Sequence, residues 1–181
     1  MLKITDNNHI KTLQISHLQV CNESLVYSNK VVFYIFEASN KISKMKVNLR
    51  RANKAFHFEA KGSNGAVINM DANPSIGGEN KGPSPMEVLL MSLAGCASVD
   101  AIMILEKQRQ ILEDYSVEVE GEREGVQVKP FKTINLHFTL KGDLDEKKVN
   151  KALDLSVNKY CSVSESLDKN IKITYSFDIV K

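Results

Sequence analysis

The residues that staple or break a chain are scarce in this sequence. Cysteine occurs three times, at positions 21, 96 and 161, too few and too scattered for the disulfide scaffold of a small secreted domain. No CxxC pair or Cys/His cluster is present, which argues against structural zinc. Charge of one sign is missing as well. The formal net charge of +2 arises in residues 1–44, and the remainder is evenly balanced. That balance leaves no footprint for nucleic acid or an anionic membrane. No N-terminal stretch has the charged start, apolar run and small-residue cleavage site of a secretory signal, since VVFYIF at 31–36 is short and far in. Reduced thiols in the cytoplasm are the expectation. The length of 181 residues, 43% hydrophobic and 25% charged, is ordinary for one globular domain.

Residues 1–44 also lack glycine and proline and show no sustained period beyond an extended-looking 25–36. Met45 then opens MKVNLRR, which reads as the first strand of a compact domain over 45–181. Two readings of the preceding segment stand: an extension that is not native to the protein, or a disordered tail or extra edge strand.

The chain is organised around residues 82–110, GPSPMEVLLMSLAGCASVDAIMILEKQRQ. A Gly/Pro-rich start gives way to a stretch with no further proline, in which Gly95 is the only interior glycine, so the pattern predicts one long helix. From 88 to 105 it is apolar on nearly every face, the mark of a helix buried all round and wrapped on several sides. Its length approaches a membrane span, but Asp100 would then sit in hydrocarbon at a cost of roughly 2.5–3.5 kcal/mol. The flanks read as amphipathic strands, so the membrane reading is rejected.

Before this helix, KVNL, AFHFEA and AVINMDA predict three strands, the last two joined through Asn64-Gly65, a hairpin signal. After it come a short strand at 116–120, a turn through Gly121 to Pro130, and a long strand at 132–140. There Ile134, Leu136, Phe138 and Leu140 alternate with polar residues, giving one core side and one wet side. Asp143 is the predicted cap of a helix whose inner face holds Val149, Ala152, Leu153, Ser156 and Tyr160. Ser162 and Glu165 have capping-box spacing, so a short helix is predicted just after Cys161. A final half-buried strand spans 171–180. This order predicts an α+β domain. His57 and His137 read as strand-surface residues.

Residues 82–110, followed by KYCSVSESL around Cys161, resemble the OsmC/Ohr family of thiol peroxidases, osmotically induced protein C and organic hydroperoxide resistance protein. The resemblance covers 45–181 and is nearest to a branch that carries the GPSPME motif. It implies an OsmC-like fold in which antiparallel sheets wrap long buried central helices in an intertwined homodimer. It further implies a peroxidatic thiol and a resolving thiol, mapping onto Cys96 and Cys161, that reduce a small organic hydroperoxide and are regenerated by an external dithiol.

That cycle needs two thiols and no metal or organic cofactor. Burial in an apolar helix opposes deprotonation of Cys96, and the helix dipole fades well before it, so a cation is required. Better-studied members use an arginine from the N-terminal strand region held by a glutamate. The local candidates are Arg50 and Arg51 with Glu87, although Glu87 lies about 180° round the helix from Cys96. Asp100, on the face of Cys96, would matter only by bridging a cation. Cys161, at a helix start, has the more favourable thiolate setting. The competing expectation is a catalytically weak or inactive OsmC-like dimer that binds a small apolar ligand.

Overall fold

The computed structural model describes residues 3–6, 9–12 and 44–181. Contacts divide the chain into two units, Met1–Met45 and Lys46–Lys181. In the first, β1 (Lys3–Asp6) and β2 (His9–Thr12) pair antiparallel as a ribbon. Cys21 and the extended reading of 25–36 lie outside the described residues.

The second unit is α+β. It opens with an antiparallel sheet of β3 (Asn48–Arg51), β4 (Phe58–Lys61) and β5 (Val67–Met70), in that spatial order. Leu49 pairs with Ala60 and Ala60 with Ile68, while Phe58 stands between Arg51 and Met70. Because side chains alternate across a strand, these six residues share one face. Arg50, Glu59, Lys61 and Asn69 share the other. The first face is apolar except for Arg51, yet it stands open, with Leu49 58% and Ile68 52% exposed.

Asn64-Gly65 does turn the chain, in a longer loop than a two-residue hairpin. Pairing stops at Lys61 and Val67, the Gly62 N–H bonds the Ala66 carbonyl at 3.1 Å, and Gly65 has φ +86°. Asp71, buried under the next loop, accepts the N–H groups of Ala72, Glu79 and Lys81 at 2.8–3.0 Å. This carboxylate braces the approach to the long helix.

That helix, α1 (Pro85–Lys107), starts at a reciprocal capping box. The Ser84 hydroxyl accepts the Glu87 N–H, and the Glu87 carboxylate accepts the Ser84 N–H at 2.6 Å. Leu93, Ala97, Ala101 and Leu105, four residues apart, form its buried stripe. Burial on every side is not what the described residues provide. Met91 and Val99 on the opposite side are 56% and 59% exposed, because the described elements packed on α1 reach one side only. Those elements are α2 (Glu146–Leu155), the turn after it, a short α3 (Ser162–Ser166) and β6 (Asp114–Arg123). By length and composition α1 could cross a membrane; its packed stripe is that of a core helix.

β6 is longer than predicted, and Gly121 lies within it instead of at a turn. A Cβ at that position would meet the Phe131 ring at 2.5 Å, so the glycine serves close packing. β7 (Phe131–Lys141) is the middle strand of the second sheet and buries Ile134, Leu136, Phe138 and Leu140 as expected. β8 (Lys172–Val180) joins it in parallel, a departure from the expected all-antiparallel sheets. The crossover that a parallel pair requires is the α2–α3 segment. The cap of α2 is Asp145, which accepts the Lys148 N–H at 2.9 Å, and not Asp143.

Candidate active site

Cys96 lies half-buried on α1, beside the packed stripe. Cys161 follows α2 and is buried, with 2% of its surface exposed. Both are free thiols in one apolar cluster, and they lie side by side, close enough that Cys96 hinders ionisation of Cys161. The two cysteines singled out in the sequence are therefore brought together.

A change of helical pitch makes this possible. Regular continuation of α2 would turn Tyr160 inward, as the sequence pattern predicts. Residues Ser156–Tyr160 instead form a π turn, in which the Cys161 N–H bonds the Ser156 carbonyl at 2.9 Å. The wider turn leaves Tyr160 exposed and brings Cys161 into the core. Ser156 is itself fully buried, and its hydroxyl donates to the Ala97 carbonyl on α1 at 2.6 Å.

Cys161 is the N-cap of α3, its sulfur accepting the Ser164 N–H at 3.4 Å. The expectation of a favoured thiolate there is overturned. Burial pushes the thiol up to about 11, and the Ser164 N–H opposes this only in part. One turn of helix supplies little dipole to help.

None of the supporting candidates bonds either thiol; Asp100 lies one turn from Cys96 on α1, and the others have partners elsewhere. Arg50 lies on the polar face of its sheet in an ion pair with Glu59. Arg51 lies on the apolar face, where its guanidinium bonds the carbonyls of Lys54 and Ala55, the latter at 2.8 Å. Glu87 is occupied by the capping box, whose Ser84 donors hold its carboxyl below the usual range. Asp100 is half-buried and forms no ion pair among the described residues. The His137 ring contacts Ser176 and Asp178 on the wet face of the second sheet. His57 bonds Asn69 at 2.8 Å.

Sequence reasoning missed a second buttress of α1. The Tyr115 hydroxyl donates to Ser98 Oγ at 2.9 Å, and Ser98 donates to the Ala94 carbonyl at 2.7 Å. Burial raises the Tyr115 phenol to about 12. Surface hollows at the β4–β5 loop and on the polar face of the β6–β8 sheet lie away from the cysteines. Neither has thiol chemistry to offer.

The model of the OsmC-like protein family matches residues 78–176, more than half of the chain and both cysteines. The chain belongs to the OsmC-like family. It is 41% identical over 124 residues to protein YhfA of Escherichia coli strain K12, covering 68% of this chain and 90% of that protein. A solved structure of a hypothetical protein from Aquifex aeolicus VF5 is similar at 32% identity and TM-score 0.65, over 77% of this chain and 100% of the other. An organic hydroperoxide resistance protein OsmC from Legionella pneumophila shares the fold at TM-score 0.60 and 17% identity, over 77% and 99% of the two chains. Within this OsmC-like chain the thiol pair lies where α1 meets the end of the π turn, on the packed side of the helix.

Proposed function

We propose that the protein is a homodimeric, thiol-dependent peroxidase that reduces small organic hydroperoxides in the cytoplasm. The observation that carries this reading is the adjacency of the half-buried Cys96 and the buried Cys161. Cys96 is the peroxidatic residue, because it is the more accessible of the two and Cys161 is held as a neutral thiol. The Cys96 thiolate attacks the terminal peroxide oxygen, the O–O bond breaks, and protonation of the leaving alkoxide gives an alcohol and a Cys96 sulfenic acid. The Cys161 thiol then displaces the sulfenic oxygen as water and forms a disulfide. An external dithiol supplies the two electrons that restore both thiols.

The second chain supplies what one chain leaves unfinished. An open apolar sheet face and an open apolar side of α1 in the same molecule are complementary surfaces for two copies of it, and sheets of this kind would wrap the partner's helix. Arg51 shares that sheet face, so burial of the face would carry its guanidinium toward a central helix, whereas Arg50 points away with Glu59. Carbonyls of the β3–β4 loop hold the Arg51 side chain, a task for which Glu87 is not free.

Stoichiometric cumene hydroperoxide should convert both free thiols to a Cys96–Cys161 disulfide that dithiothreitol reverses. Peptide mapping that finds both thiols free after this treatment sinks the proposal. Among the described residues no cation is bonded to Cys96, which favours a second reading, an inactive dimer holding a small apolar ligand. Tight binding of such a ligand without turnover, unchanged in Cys96→Ser, would select it.

A further inference from the structure

We infer that Ser156 is the positioning residue of the thiol pair, acting through the π turn that it begins. Besides its own N–H, which bonds the Ala152 and Leu153 carbonyls within α2, Ser156 makes two hydrogen bonds that bear on the thiols. Its hydroxyl donates to the Ala97 carbonyl, next in sequence to Cys96, at 2.6 Å. Its own carbonyl accepts the Cys161 N–H at 2.9 Å. One fully buried residue thus ties the backbone beside Cys96 to the backbone of Cys161. The second bond is also the one that defines the π turn, since a regular α turn would pair the Ser156 carbonyl with the Tyr160 N–H. Were that turn to relax to α geometry, the inward position would pass from Cys161 to Tyr160 and the sulfurs would separate. The Ser156 hydroxyl opposes this by fixing the start of the turn to α1. The Ala97 carbonyl lies in the middle of α1 and already has a helical acceptor role, so stability of α1 does not need the extra donor. Its effect falls on where α2 ends relative to Cys96.

The inference rests on the proposed Cys96–Cys161 disulfide, but its test needs no peroxide. Full-length protein is equilibrated in dithiothreitol redox buffers, and the equilibrium constant for the Cys96–Cys161 disulfide is read by mass after acid quench. Closure between two held thiols measures their effective concentration. Ser156→Ala should lower that constant about tenfold, the order set by one net hydrogen bond, and should speed alkylation of the reduced Cys161. Val157→Ala, equally buried in the same turn but without a bond to α1, serves as the packing control and should leave the constant within about twofold. Ser156→Thr retains the donor, provides a second folded variant, and should stay near wild type. Equal losses in Ser156→Ala and Val157→Ala, or no loss in either, overturn the positioning role. A wild-type disulfide that forms in these buffers while peroxide is not consumed rejects the peroxidase reading and leaves the Ser156 result standing. A wild type that forms no disulfide overturns both.

Discussion

Cys161 caps the helix that follows it with its own sulfur, which accepts the Ser164 N–H at 3.4 Å. That bond favours the thiolate, burial favours the thiol, and burial wins by enough to move the group from 9.0 to about 11. The unfolded chain releases this proton near the ordinary value, while the folded chain keeps it until about 11. Between those two values the unfolded state binds fewer protons, so stability must fall as pH rises. The contribution is fully present at neutral pH, and up to about 2 kcal/mol is lost across the window. Urea unfolding of the reduced protein near pH 8 and near pH 10.5 checks it, with Cys161→Ala as reference to remove the other titrating groups. Equal losses in both proteins mean that Cys161 is not held neutral by the fold.

Tyr115 and Ser98 supply a prediction independent of the thiols. The hydroxyl pair links β6 to α1, and Tyr115→Phe removes it without opening a cavity. Loss of one such bond costs about 1 kcal/mol. Calorimetry should show a lower Tm, with the Cys96–Cys161 equilibrium unchanged. A variant as stable as wild type would show that the bond contributes nothing to holding β6 on the helix.

Much of this architecture is legible from periodicity. Ile134, Leu136, Phe138 and Leu140 alternate without interruption and bury together, and the short helix expected just after Cys161 is present as α3, though its cap is Cys161 and not Ser162. Periodicity fails at Tyr160 because it assumes a constant pitch. The π turn inserts one residue, and the sole sign of it in the sequence is a polar residue, Ser156, at an inward position beside apolar neighbours. The parallel direction of β8 is equally hidden, since alternation along a strand carries no sense of direction. α1 misleads in a different way. Its apolar composition predicts burial all round, whereas the described residues cover one side.

The open side of α1 predicts the oligomeric state. Val99 is 59% exposed there, and burying that remaining surface against a second chain would contribute about 1 kcal/mol at each copy. Sedimentation should find a dimer for the wild type and a shift toward monomer for Val99→Asp, which would place a charge in that seam. Leu49→Glu, on the open face of the first sheet, should shift the equilibrium in the same direction. A wild-type monomer at tens of micromolar would remove the second chain from the proposed site.

Arg50 and Arg51 are neighbours in sequence, and alternation along β3 sends them to opposite faces. Arg50 meets Glu59 among polar residues; Arg51 shares its face with Leu49, Phe58 and Ile68. A guanidinium on an apolar face gains meaning when that face is buried, because a charge placed there acts at low dielectric on whatever thiolate it meets. Arg51→Met should therefore slow hydroperoxide consumption by at least about tenfold, the order expected when one opposite charge is taken from beside a thiolate. Arg50→Met should leave the rate within about twofold, since an exposed ion pair of its kind contributes under about 1 kcal/mol. Stopped-flow turnover of cumene hydroperoxide measures both variants against the same wild type. A larger loss for Arg50→Met would reverse the assignment. Equal, small losses would show that the cation beside Cys96 is neither of these arginines, and would favour the ligand-binding dimer over the peroxidase.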